Sequence, residues 1–117
     1  MKSFEELDVW KEGCRLAVDV YRSLAECRDY GMKDQITRAA VSIPSNIAEG
    51  AERHTDRELV SFLYIAKGSC AELRTQLYLA DRIGLLPHDR CAELIAACKR
   101  ISGMLQNLIT YLQSKHS

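Results

Sequence analysis

The sequence predicts an all-α protein, an antiparallel up-down-up-down four-helix bundle, and three observations carry that prediction. Apolar residues recur every three or four positions along the 117-residue chain, and no stretch shows the period of two that a half-buried strand needs. Only two prolines and six glycines interrupt the pattern. The connectors between periodic segments are a few residues long, which makes neighbouring helices run antiparallel.

The first helix shows an apolar stripe of Leu7, Trp10, Cys14, Ala17, Tyr21 and Leu24, with charges of both signs on its other positions. The connector "CRDYG" follows, and the second helix gives Ile36, Ala40, Ile43, Ile47 and Ala51. Thr55 and Glu58 have the spacing of a capping box, in which side chains satisfy the free N–H groups at a helix start. The third helix gives Leu59, Phe62, Ala66, Cys70, Leu73, Leu77 and Ala80. Gly84 then Pro87 end it, because glycine accepts a left-handed conformation and proline cannot continue a helix. The fourth helix gives Cys91, Leu94, Cys98, Ile101, Leu105, Leu108 and Leu112. Such segments, about 20 to 30 residues each, span roughly 30 to 45 Å at a rise of 1.5 Å per residue. No repeat or second domain is visible, so residues 1–117 are expected to form one domain with a core that buries roughly two-thirds of the unfolded surface.

The stretch "AAVSIPSNIAEG", residues 39–50, is unusual: no charge falls between Ala39 and Ala48 in a chain that is 27% charged. Pro44 removes a backbone hydrogen bond and costs about 3 kcal/mol in a helix interior. The stripe Ile36, Ala40, Ile43, Ile47, Ala51 nevertheless keeps phase across it. A loop would break that phase, so one helix kinked at Pro44 is predicted, with Ser42, Ser45 or water compensating the freed carbonyl. Val41, Ser42, Ser45 and Ala48 then point away from the bundle. A helix with no charge on either face is buried on both, and a second copy of the chain is the cover this size of bundle permits. The predicted subunit interface comprises Val41, Ser42, Pro44, Ser45, Asn46, Ala48 and Glu49. Met104, Ile109 and Tyr111, off the fourth stripe, give a second apolar region.

Sixteen basic and sixteen acidic residues cancel, which argues against a broad electrostatic footprint for nucleic acid and leaves room for a local basic patch. The N-terminus "MKSFEELDVWKEG" is too acidic and too patterned for a signal peptide. The longest uncharged run, Ile101 to Ser114, falls short of the roughly 20 apolar residues a bilayer needs. A cytoplasmic location is the expectation. Five cysteines without C-x-x-C spacing or a histidine at a metal-ligand interval fit small buried hydrophobes better than a redox or metal site.

Three stretches, "LDVW", "RAAVSIPSNIAEG" and "FLYIAKGSCAELRTQLYLADRIGLL", resemble the four-helix-bundle family named for open reading frames inside 23S rRNA intervening sequences. The resemblance covers nearly the whole chain. It implies a homopentameric ring of antiparallel bundles. It also implies a likeness to the accessory proteins of diversity-generating retroelements, which bind nucleic acid and a reverse transcriptase through a basic surface.

Three functional classes follow. The first is a non-catalytic oligomeric module that engages RNA or a ribonucleoprotein, with Arg38, Arg53, Arg57, Lys67 and Arg74 as candidate contacts. The second is a protein-binding scaffold. The third, an enzyme, finds no support: the Glu-x-x-His pairs of a di-metal carboxylate bundle and the G-x-x-x-x-G-K-[ST] phosphate loop are both missing. Asn46 and Glu49 form the only compact polar pair near the proline. No catalytic residue, cofactor or metal is predicted.

Overall fold

The computed structural model describes residues 3–116, of which the first is Ser3. Its hydroxyl accepts the Glu5 N–H at 3.2 Å, starting a 3-10 turn over Phe4–Glu6. Four α-helices follow: α1 Asp8–Ser23, α2 Tyr30–Ala51, α3 Asp56–Arg82 and α4 His88–Ser114. Each helix packs on its sequence neighbours, and α1 also packs on α4, so the four stand at the corners of a square. The result is a four-helix bundle 47 Å long and 20 Å across.

The helix ends follow from local chemistry. Asp29 caps α2 by accepting the Met32 N–H at 3.1 Å, and Thr55 caps α3 by accepting the Glu58 N–H at 3.1 Å. Each bond satisfies one of the free donors at a helix start. Tyr30 and Gly31, read from sequence as connector, belong instead to the first turn of α2, because the Asp29 cap precedes them. At the other end of α3, Gly84 adopts φ +72. The Leu85 N–H reaches the Ala80 carbonyl at 2.8 Å and the Gly84 N–H reaches Asp81 at 3.2 Å, the paired bonds of a Schellman stop.

The core is a single apolar cluster with no buried polar or charged residue among those described. Its membership corrects three of the sequence stripes. In α1 the buried line is Val9, Gly13, Leu16, Val20 and Leu24, while Tyr21 is 64% exposed. Gly13 explains the rotation: a Cβ there would lie 3.4 Å from Ile43 and 3.5 Å from Pro44, so α2 presses onto α1 where no side chain intervenes. In α3 Leu63, not Phe62, faces the core, and in α4 Ile109 replaces Leu108. Ile109 is fully buried and Met104 half-buried, so only Tyr111 of the second apolar region expected on α4 is exposed.

Helix α2 runs unbroken through Pro44. The Ser42 hydroxyl donates to the Ala39 carbonyl at 2.8 Å, and the Asn46 amide donates to the Ser42 carbonyl at 2.8 Å. The Ser42 bond therefore goes to the carbonyl before Ala40, whose partner Pro44 removes. Across the other side of the bundle, the Arg90 guanidinium ties α4 to α1. Its Nε donates to the Ser23 hydroxyl at 2.7 Å, and the same arginine pairs with Glu93 at 2.8 Å.

Candidate assembly face and basic groove

Two surfaces collect the residues singled out above. The first is the outer side of α1 and α2. The stripe Trp10, Cys14, Ala17 and Tyr21, expected in the core, turns toward this side instead, and Val18 joins it at 46% exposure. From α2 come Val41 at 48% exposure, Ser45, and half-buried Ala48. None of these residues carries a formal charge. The edge-to-face contact of Phe4 on Trp10, with ring centroids 5.2 Å apart, closes one end of the surface. Helix α1 thus has two apolar stripes, one in the core and one that runs from Trp10 and Ala17 at the core's edge to Val18 and Tyr21 in water.

The seven residues predicted for a subunit interface do not form one patch. Val41, Ser45 and Ala48 lie on the open α1/α2 side. Pro44 does not: it is buried against Gly13 of its own chain. Ser42, Asn46 and Glu49 turn toward the α3 edge. There Asn46 bonds its own backbone, and Glu49 pairs with Arg53 at 3.1 Å. The Asn46–Glu49 pair therefore has ordinary structural partners within the chain. Of the residues that the sequence shows as apolar and periodic, Trp10 packs at the edge of the core, Cys14 is half-buried and Tyr21 is exposed.

The second surface is the groove between α3 and α4. Three of the five candidate basic residues, Arg57, Lys67 and Arg74, line it over about 25 Å of helix at 1.5 Å per residue. The Lys67 ammonium crosses the groove to the Gln106 amide oxygen at 2.6 Å. Arg57 borders a cleft of roughly 400 Å³ with Val60, Leu112 and His116. Arg74 borders a small central pit with Ser102, and Lys99, unmarked in the sequence reading, borders a third cleft with Tyr78 and His88. The other two candidates face elsewhere. Arg38 pairs with Asp34 at 3.2 Å, and Arg53 stacks on the Phe62 ring at 4.8 Å as well as pairing with Glu49.

The groove's two aspartates are engaged by histidines at its ends. His88 lies 2.9 Å from Asp81, and His116 lies 3.0 Å from Asp56. Hydrogen bonds from His116 and Lys115 hold the Asp56 carboxyl below the usual carboxylate range. Beneath the groove, burial pushes the thiols of Cys70 and Cys98 up to about 11 and about 12, so both are neutral at physiological pH. Cys91 is also buried, and Cys14 and Cys27 are half-buried. Among the described residues no three His, Cys, Asp or Glu side chains are placed to hold a metal ion, and no helix is long and apolar enough to cross a membrane.

Comparison with known proteins places these surfaces in context. The family described as 23S rRNA-intervening sequence protein matches residues 5–107. A crystal structure from Bacteroides thetaiotaomicron VPI-5482, described as a protein with unknown function from the S23 ribosomal protein family, has the same fold. It superposes with a TM-score of 0.81 at 24% identity, over 86% of this chain and 97% of that one. No curated protein matches the chain.

Proposed function

The chain belongs to the family of 23S rRNA-intervening sequence proteins, and on that footing we propose that it acts as a homo-oligomeric four-helix module with no catalytic step of its own, offering its α3/α4 groove to RNA. The observation that carries the proposal is the second apolar stripe of α1. Trp10, Cys14, Val18 and Tyr21 share one outer side with Val41, Ser45 and Ala48, and none of these seven residues is charged. Contiguous apolar surface of this kind on a small soluble domain marks an interaction site. Cyclic closure is the usual outcome for copies of one chain, and a ring of five is what the resemblance implies.

The groove supplies the RNA half of the proposal. Arg57, Lys67 and Arg74 present three cationic groups along the groove, and repetition around a ring turns a weak contact into a multivalent one. Fluorescence anisotropy with a single-stranded RNA, repeated over a range of salt, tests it. Affinity should fall with a log–log slope set by the phosphates neutralised. Removing Arg57, Lys67 or Arg74 should each lower that slope by about one, and removing Arg38 should not. Binding that is absent or insensitive to salt overturns it.

A second reading has its own support. The chain's net charge is zero, and Arg38 and Arg53 are occupied by Asp34 and Glu49. A scaffold that holds a protein instead of RNA fits those facts. Partners retained on the assembled protein after nuclease treatment favour the scaffold; their loss favours RNA.

A further inference from the structure

The α1/α2 side has a complement elsewhere on the same molecule, on the outer ridge of α3. Glu58, Ile65, Glu72 and Leu79 follow one another at seven-residue intervals and so lie close to one line along that helix. Ile65 is 52% exposed, Leu79 46%, and Ile83 extends the line at 60%. Both glutamates are exposed, and neither carboxylate enters an ion pair within the described residues. On α1 the outer edge reads Lys11, Val18, Arg22, again exposed, and neither basic group enters an ion pair within the described residues. One ridge is acidic and apolar; the other is basic and apolar.

From this we infer that the self-association proposed above is heterologous: the outer face of α1 in one copy docks on the α3 ridge, Glu58 to Ile83, of the next. With Val18 set against Ile65, Lys11 and Arg22 fall about 10 and 6 Å to either side, and Glu58 and Glu72 about 10 Å to either side, at 1.5 Å per residue. Long basic side chains span the difference. The two self-complementary alternatives fail on charge. Pairing α1 with α1 about a two-fold axis sets Lys11 against Arg22, and pairing α3 with α3 sets Glu58 against Glu72. Like charges brought together at an interface cost stability and select against that partner. Each copy keeps one unused face of each kind, so addition continues until the chain of copies closes on itself.

The inference rests on the self-association reading, and a mixing experiment separates the two. Val18→Glu disables the α1 face and leaves the α3 ridge intact; Ile65→Glu does the reverse, and the two altered faces, both acidic at the contact, repel each other. Both sites are exposed, and circular dichroism of each variant checks that the helices persist. Light scattering should give 13.2 kDa for each variant alone. An equimolar mixture should give twice that mass, because one intact face of each kind remains. A mixture that stays monomeric, or a variant that keeps the wild-type mass, overturns the pairing while leaving self-association standing. A wild-type chain that is itself monomeric overturns both.

Discussion

Pro44 of α2 lies against Gly13 of α1, with its ring Cβ and Cδ 3.5 Å from where a glycine Cβ would project. This contact sets the geometry of half the bundle. The missing side chain at position 13 admits the proline ring, and the proline, which has no N–H to offer, is accommodated inside the helix by being buried. It also fixes which stripe of α1 faces inward.

An alanine series measures how closely the helices meet. Gly50→Ala sets a Cβ 2.6 Å from Phe62 Cβ, closer than real Cβ atoms come, and a tight 3.3 Å from the Leu59 carbonyl oxygen. Overpacking of this kind should cost about 1–3 kcal/mol in urea unfolding. Gly103→Ala meets nothing within 4 Å and should stabilise by up to about 1 kcal/mol through helix propensity. Gly13→Ala, at ordinary contact distances, should fall between them. Equal effects at Gly50 and Gly103 would contradict the packing described.

The rotation of α1 has a direct mutational signature. Leu16→Ala should cost about 2–5 kcal/mol, as for a filled core site. Tyr21→Ala should change stability by less than about 0.5 kcal/mol. Both are measured in the Val18→Glu background, where assembly adds nothing to apparent stability. A large loss at Tyr21 would restore the stripe predicted from sequence.

That stripe shows what was legible. Helix number, connection order, the Thr55 cap, the Gly84 stop and continuity through Pro44 all follow from period and local chemistry, and the structure has them. The phase of α1 was not legible because it has two apolar stripes, and the inward one contains Gly13, which adds no hydrophobic weight to a pattern. Leu108 and Ile109 are adjacent and equally apolar, so spacing alone gave no means of choosing the inward one. The basic residues were legible as residues only. Their division between the groove and the α2 edge depends on how α3 is turned, and no sequence period records that.

Gln76 offers a test of buried polarity. Its Oε1 is buried with no hydrogen-bond partner among the described residues, and such a group carries a desolvation cost of about 1–3 kcal/mol. Gln76→Met, similar in shape, should raise the urea midpoint by an amount corresponding to about 1 kcal/mol. A loss of that size would mean that the amide has a partner in solution.

Thiol chemistry should be strongly graded. The protonated thiols of Cys70 and Cys98 are poor nucleophiles, and their burial shields them. Iodoacetamide at pH 8 should label Cys27 first, with Cys70, Cys91 and Cys98 labelled only after denaturant is added, as read by peptide mass spectrometry. Rapid labelling of Cys98 in the folded protein would show that α3 and α4 separate readily.

A second copy of the chain is proposed to cover the apolar outer side of α1 and α2. Light scattering across a hundredfold concentration range tests it most directly. The account predicts a mass that is a whole multiple of 13.2 kDa, five-fold for the ring, collapsing to one chain in Val18→Glu. A wild-type mass of 13.2 kDa at every concentration would contradict it.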